Sequence, residues 1–266
     1  MKKTKKFWNF KAKEDENRGE LTLYGEISDV SWWGDEITPK AFKDDLDALG
    51  DIDVIDIYIN SSGGDVFAGD SIYNILKRHN ARKIVHIDGL AASIASIIAM
   101  VGDEIIMAEN ALMMIHEAWT YARGNKRDLA KMIDALVRID DTLSGVYAAR
   151  TGKNADEIAD MMQNETWFTA AEAMEQGFAD KVEANKKIAA SASGSTIIMN
   201  GVAFDMSRFE HAPEIAPCNG ADTQPVEEIA PENTGRESTE ALNRQREMFN
   251  NTREKIMKTY EKENTK

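Results

Sequence analysis

The stretch KIVHIDGLAASIASIIAMVG, residues 83–102, contains the unit from which the fold is predicted. Residues 83–88 are rich in β-branched side chains and predict a strand, and Gly89 begins a turn. The remainder is apolar and of helical length, so it predicts a helix directly after the turn. Two hydroxyls, Ser93 and Ser96, lie in this otherwise apolar segment. Either both are small packing residues, or one of them is a nucleophile.

The same order of strand, turn and helix occurs earlier in the chain. DVIDIYIN (53–60) predicts a strand, and SSGGDVFAGDSIYNILKRH (61–79) predicts a glycine turn followed by a helix. ELTLYGEI (20–27) alternates apolar and polar residues and predicts another strand, while DEIIMAE (103–109) and ALMMIH (111–116) are short strand candidates. Repeated units of this kind favour an α/β fold with parallel strand pairing.

Composition excludes several classes of protein. The formal net charge is −14, which argues against a nucleic-acid binder with a basic face. A single cysteine, Cys218, excludes an internal disulfide and a cysteine-rich zinc site and favours a reducing compartment. The apolar run after Asp88 is too short to span a membrane, and the first residues lack a signal-peptide pattern. We therefore expect a soluble protein of the cytoplasm.

Three regions are predicted along the chain. Residues 1–19 are polar and predict a loose N-terminal arm, and residues 20–185 carry the α/β pattern. Residues 186–266 contain four of the five prolines and small-residue stretches, which predict a linker and a partly helical, largely disordered tail.

A long helix is predicted from Lys126 to a stop near Gly152. Its apolar positions recur every three and four residues, so one face must pack against its own domain or against a partner subunit. These positions are Leu129, Met132, Ile133, Leu136, Ile139, Leu143 and Val146.

Ser93 is the better nucleophile candidate of the two serines. It would lie where a strand turns into a helix, next to free N–H groups of the first helical turn, whereas Ser96 lies inside the helix. His116, at the end of a strand candidate, is the most suitable base among the four histidines. At this level Ser93 could still be a helix cap and His116 a structural histidine. Three acids could orient the imidazole, and spacing alone does not select among them: Asp160, Glu165 and Asp180.

The adjacent glycines Gly63 and Gly64 follow a predicted strand. They allow positive φ and close backbone approach, so they could donate an N–H to an oxyanion or hold an extended peptide. Their spacing matches neither a phosphate-binding loop nor a dinucleotide-binding motif.

Four motifs, in this order, resemble the proteolytic subunit of the Clp protease (ClpP), a serine peptidase. They are YINSSGGDVFAGDSIYN, GLAASIAS, MMIHEAW and ETWFTAAEAMEQGFAD. The resemblance covers about residues 20–185 and is closer to the Clp-like head-maturation (prohead) proteases of tailed phages and prophages. It implies a crotonase-like ββα spiral with a long helix for ring contacts, and a ring-forming homo-oligomer.

The resemblance also implies roles for individual residues. Ser93 corresponds to the nucleophile, His116 to the base and Glu165 to the acid, and the N–H groups of Gly64 and Ile94 correspond to the oxyanion donors. Two positions depart from the family pattern. Ser62 stands where the family usually has proline, and Glu165 stands where the cellular enzymes usually have aspartate, which leaves Asp160 as an alternative acid.

The expected function is therefore a serine endopeptidase that needs neither a metal nor an organic cofactor. We expect it to process capsid or scaffold proteins during phage head maturation in the host cytoplasm, with its tail acting as a scaffold-like or self-processed extension. The alternatives are a housekeeping subunit partnered by an ATPase, an inactive assembly scaffold with a protease fold, and a crotonase-type acyl-CoA enzyme.

Overall fold

A mixed β-sheet with helices packed against it forms the centre of the computed structural model, which describes residues 6–13, 17–28, 38–184, 190–193 and 195–213. The strands of this sheet are β1 (Trp8–Lys13), β2 (Arg18–Tyr24), β3 (Val54–Ser61), β4 (Arg82–Ala92), β5 (Glu104–Ala108), β6 (Leu112–Ile115), β7 (Thr166–Thr169) and β8 (Lys181–Glu183). The helices are α1 (Pro39–Asp47), α2 (Val66–Arg78), α3 (Ile94–Ala99), α4 (Lys126–Thr151), α5 (Ala155–Gln163) and α6 (Ala170–Glu175).

The predicted α/β fold with parallel pairing is confirmed. Strands follow the order β1-β2-β3-β4-β5-β8, and all neighbours from β2 to β8 in this order are parallel. The inward side chains of the central strands are buried, as expected for a sheet covered by helices. They include Ile55, Ile57, Ile59, Val85 and Ile87.

Strand β4 divides between two neighbours, and this division positions the candidate site. Its first part, Ile84–Ile87, pairs with β5, and its last part, Leu90–Ala92, pairs with β6. The side chain of Asn60 accepts the N–H of Leu90 at 3.1 Å beside the dividing point. Since β6 also pairs with the antiparallel strand β7, three chain segments meet where β4 ends.

Helix α4 has the predicted bounds. Asn125 caps its N-terminus with a capping box, and Gly152 ends it with φ of 74°. Leu143 is buried in the C-terminal half of α4, whereas Leu129, Met132 and Ile133 in the N-terminal half are exposed. The apolar stripe therefore packs on its own domain at one end and faces outward at the other.

The prediction of a loose N-terminal arm is wrong for residues 8–13, which form β1 and pair with β2. Trp8 explains the difference, because its buried ring packs edge-on against Phe42 of α1 and anchors the strand. The charges of this segment predict a loose arm, but Trp8 and Phe10 alternate along it as the aromatic residues of a strand do.

Ordered structure also continues past residue 185, where the linker was predicted. A second sheet contains β9 (Ala190–Ser193), β10 (Thr196–Met199) and β11 (Val202–Asp205), and a 3-10 helix follows at Met206–Arg208. The remainder of the predicted tail, from residue 214, lies outside the described residues. None of the described helices is both long enough and apolar enough to cross a membrane.

Candidate active site

Ser93 connects the end of β4 to the start of α3. Its backbone has φ of 57° and ψ of −132°, which is unusual for a residue with a side chain. Its N–H donates to the carbonyl of Met114 on β6 at 3.0 Å, which holds the turn in place. The hydroxyl does not cap α3. It is instead directed to His116, so capping does not account for this serine.

His116 follows directly after β6, the neighbour of β4. Its Nε2 lies 2.7 Å from Oγ of Ser93, within hydrogen-bond distance. Burial lowers the pKa of His116, the nearby carboxylate of Glu165 opposes this shift, and the charge of Arg208 adds to it. The neutral imidazole is therefore favoured, and neutral Nε2 can accept the proton of the hydroxyl.

The glycine pair lies against the turn that carries Ser93. A Cβ at Gly63 would come within 2.7 Å of Cβ of Ser93 and 3.2 Å of the amide nitrogen of Ile94. At Gly64 a Cβ would lie 1.9 Å from the carbonyl oxygen of Ile27, so only glycine fits there. The N–H of Ile27 donates to Gly63 and its carbonyl accepts from Asp65, each at 2.8 Å.

Two backbone donors flank the contact between Gly63 and Ser93, because Gly64 follows Gly63 and Ile94 follows Ser93. Ile94 is the first residue of α3, so its N–H has no partner within the helix. Among the described residues, no acceptor is found for the N–H of Gly64 or of Ile94. This arrangement could bind an oxygen that becomes negative when Ser93 attacks a carbonyl.

Glu165 lies near His116 without a hydrogen bond between them in the described part of the chain. One carboxylate oxygen accepts the N–H of His211 at 2.6 Å and the indole N–H of Trp167 at 3.2 Å. The other oxygen accepts the N–H of Glu210 at 3.0 Å. The acid is thus held by Trp167 of β7 and by two residues that follow the α/β region.

The other two candidate acids are placed differently. Asp160 is exposed on α5, and its backbone carbonyl accepts from the side chain of Asn164. Asp180 pairs with Arg150 and accepts the N–H of Ile105 at 2.7 Å. Of the three acids, Glu165 is the one whose charge acts on the pKa of His116.

Ser96 has a structural position. Its hydroxyl lies 2.6 Å from the carbonyl oxygen of Ser93, 3.0 Å from that of Met114 and 2.7 Å from the hydroxyl of Tyr147. This buried set of contacts connects α3 with β6 and α4. No group of three or more His, Cys, Asp or Glu side chains arranged for a metal occurs among the described residues.

Residues 208–211, which lie in the predicted tail, contribute to the site although no motif pointed to them. Phe209 packs edge-on against His116, with ring centroids 6.4 Å apart, and against Trp167, at 5.3 Å. A signal for this structure exists in the sequence. TIIMNGVAFD (196–205) places Asn-Gly between two β-branched or aromatic runs, which is typical of a hairpin.

Comparison with known proteins supports the resemblance. A sequence model of the Clp protease family matches residues 44–186, more than half of the chain. The chain is 30% identical over 136 residues to the ATP-dependent Clp protease proteolytic subunit of Porphyromonas gingivalis, covering 50% of this chain and 61% of that relative. It is 33% identical over 132 residues to the subunit of the same name from Pleurastrum terricola, covering 49% and 67%. For proteolytic subunit 2 of Tropheryma whipplei the identity is 28% over 161 residues, covering 58% and 89%.

The chain thus spans about three fifths of the length of the Porphyromonas gingivalis relative and most of the Tropheryma whipplei one. The matched region contains the two strand–turn–helix units, the glycine pair, Ser93, His116 and Glu165. By the extent of the match to the family model, the chain belongs to the Clp protease family.

Proposed function

We propose that this chain is a serine endopeptidase in which Ser93 is the nucleophile and His116 the general base. The observation that carries the proposal is the 2.7 Å contact between Oγ of Ser93 and Nε2 of His116. A serine held in a strained turn, with its hydroxyl on a neutral imidazole, is the arrangement that nucleophilic catalysis needs. Membership of the Clp protease family supports the same reaction.

The reaction proceeds in two halves. Oγ of Ser93 attacks the peptide carbonyl carbon while His116 takes the hydroxyl proton. The tetrahedral intermediate then collapses, and His116 gives that proton to the leaving amine. Water, deprotonated by His116, next attacks the acyl ester, releases the carboxylic acid and restores Ser93. Neither a metal nor an organic cofactor takes part in these steps.

The oxyanion of each intermediate is assigned to the N–H groups of Gly64 and Ile94, with Gly63 allowing the backbone to approach the substrate. The contact of Gly63 with the turn of Ser93 and Ile94, and the lack of a described acceptor for the N–H of Gly64 or of Ile94, support this role. Loss of one such donor typically lowers kcat by about 10²–10³-fold.

Glu165 is assigned to orient His116 during the reaction. Its charge already acts on the histidine, which supports this choice over Asp160 and Asp180. To form the full triad, the carboxylate must come within hydrogen-bond distance of Nδ1–H of His116, whereas its oxygens now accept the N–H groups of Glu210 and His211.

The finer proposal is that the enzyme processes capsid or scaffold proteins during phage head assembly in the host cytoplasm, as a ring-forming homo-oligomer. The four sequence motifs and the outward-facing apolar half of α4 support it.

The substrate class is tested by coexpression. Coexpression with a phage capsid protein and its scaffold should yield cut products with the wild type and none with Ser93→Ala. Degradation that depends on an added Clp ATPase, with the capsid proteins left intact, would favour the housekeeping alternative.

The enzymatic proposal is tested by labelling with a fluorophosphonate probe. The wild-type chain should be labelled, Ser93→Ala should not, and His116→Gln should be labelled several orders of magnitude more slowly. His79→Gln is the matched control, because His79 lies at the end of α2 and its ring accepts the local N–H of Ala81. Undiminished labelling of Ser93→Ala would exclude Ser93 as the nucleophile.

A further inference from the structure

Residues 195–211, here called the strap, form a structural unit beyond the region that the family model matches. They comprise β10, β11 and the 3-10 helix at Met206–Arg208. The turn between the strands is made by Asn200 and Gly201, which have φ of 49° and 75°. Positive φ at both positions is the requirement of a tight two-residue hairpin.

The strap packs on the part of the sheet that leads to Ser93 and His116. Its apolar side chains form a separate buried cluster with residues of β4 and β6, the two strands that end at the site. The strap contributes Ile197, Met199, Phe204, Met206 and Phe209, and the sheet contributes Leu90, Ala92 and Met114.

Two side-chain amides fix the register of the strap on the sheet. The fully buried Asn60 donates to the carbonyl of Met199 at 2.8 Å. Asn200 donates to the carbonyl of Asp88, also at 2.8 Å. Directional bonds of this kind specify a single docked arrangement, which apolar contacts alone would not.

The end of the strap engages both Glu165 and His116. The N–H groups of Glu210 and His211 donate to the two carboxylate oxygens of Glu165 and so restrain the position of this side chain. Phe209 lies edge-on to the imidazole and fills the space between it and Trp167. The acid therefore bonds the strap and not the histidine that it is expected to orient.

Two of these residues act on His116 in the same direction. Phe209 lies against the ring, whose burial lowers its pKa, and Arg208 places a positive charge nearby. Each effect disfavours the imidazolium that His116 must become when Ser93 attacks.

We propose that the strap is an autoinhibitory element, which holds Glu165 in hydrogen bonds to Glu210 and His211 and so keeps it from His116. Opening of the strap frees the carboxylate to accept Nδ1–H of His116 and uncovers the apolar surface of β4 and β6. This inference rests on the proposed protease function and adds its regulation.

The test uses the full chain with Phe209→Ala, which removes the anchor beside His116. Asn200→Ala is a milder second variant, since it loses the bond to Asp88 and weakens the hairpin turn. The matched control is Ile198→Ala, because Ile198 faces solvent from β10 with 42% of its surface exposed. Labelling rate with the fluorophosphonate probe and hydrogen exchange over residues 196–211 are measured on the same samples.

We expect both strap variants to exchange faster and to be labelled roughly tenfold faster or more, since an orienting carboxylate is worth up to about 10⁴-fold in such triads. Ile198→Ala should match the wild type. Slower labelling of a folded Phe209→Ala would overturn the proposal, because the strap would then support Glu165. Unchanged labelling in both variants would also overturn it, whether or not exchange increases.

A second measurement separates this inference from the proposed function. The pKa of His116 is followed by NMR of histidine-labelled protein, with His116→Gln to assign the signal. Opening the strap should raise this pKa, because it restores water, removes Arg208 and frees Glu165. If no variant is labelled at all, the protease proposal fails, and the pKa alone decides whether the strap acts on His116. An unchanged pKa of His116 in Phe209→Ala would show that the strap does not act on His116.

Discussion

At the scale of single residues, strained backbone coincides with proposed chemistry. Ser93 and Glu165 have φ of 57° and 45°, values that side chains usually avoid. Among the described residues, the other non-glycines with positive φ are Asn17 and Asn200, and asparagine tolerates this region well. Strain persists only where surrounding contacts impose it, and it concentrates at functional sites. Its presence at both ends of the proposed Ser-His-acid set supports the assignment.

The titration of His116 leads to a prediction about pH. A general base acts in its neutral form, which predominates above its pKa. Because burial lowers the pKa of His116 from the ordinary value of 6.5, the loss of activity on acidification should have its midpoint below pH 6.5. The labelling rate is measured from about pH 5 to 9, with circular dichroism at each pH to confirm folding. A midpoint above 6.5 in the folded protein would contradict the burial of the base.

The sequence was sufficient to identify Ser93, His116 and Glu165 as candidates, because each lies within a motif or at the end of a predicted element. It could not predict the contact between Ser93 and His116, which depends on β4 leaving β5 to pair with β6. It could not predict the backbone donors to Glu165 either, because Glu210 and His211 lie about 45 residues further along the chain.

At the scale of elements, the short helix α3 is held by its neighbours. Ser96 of α3 contacts both the carbonyl of Ser93 and the hydroxyl of Tyr147, which is buried in α4. Burial raises the pKa of Tyr147, so this hydroxyl stays protonated and can donate to Ser96. The turn that carries Ser93 is therefore connected to the long helix through one hydroxyl pair.

Removal of that hydroxyl should weaken the connection without opening a large cavity. We expect Tyr147→Phe to lower the free energy of unfolding by about 1 kcal/mol, the usual worth of one buried hydrogen bond, and to slow labelling of Ser93. Denaturant unfolding and probe labelling measure the two effects. Tyr121→Phe is the control, since Tyr121 is 91% exposed and should change neither quantity. Equal stability of the two variants would show that the Ser96 contact is dispensable.

Sequence predicts the elements whose apolar residues recur with a regular period. It does not predict the elements in segments rich in charged or small residues. The central strands and α4 carry continuous apolar periodicity and matched the prediction. Strand β1 and the strap lie in segments rich in charge or in small residues, where composition suggested disorder. Both fold because a few large side chains, such as Trp8 and Phe204, are buried against distant parts of the chain. Such contacts are not visible in a local window of sequence.

At the scale of the whole molecule, α4 connects the site to an outward-facing surface. Ala118 lies two residues after His116, and its N–H donates to the carboxylate of Asp140 on α4 at 2.7 Å. Toward the N-terminus of the same helix, Ile133 is 61% exposed and Val137 is 53% exposed. An apolar surface of this kind on a long helix is typical of a subunit contact. This end of α4 is therefore the surface at which we propose that copies of this chain contact one another.

Ile133→Glu should disrupt the assembly and leave the subunit folded. Since Ile133 is mostly exposed in the single chain, the substitution should not change the circular dichroism spectrum, but in an assembly it would bury an unpaired carboxylate. We expect the oligomer mass, measured by light scattering, to fall toward that of smaller species. Lys131→Glu is the control. It reverses a charge at an exposed polar position of α4, which is a larger change of charge than Ile133→Glu makes.

If both variants keep the wild-type mass, the contact between subunits lies elsewhere. If both dissociate, charge repulsion and not the apolar face controls assembly. Dissociation of Ile133→Glu alone, with slower labelling of Ser93, would further indicate that α4 transmits assembly to the site through Asp140.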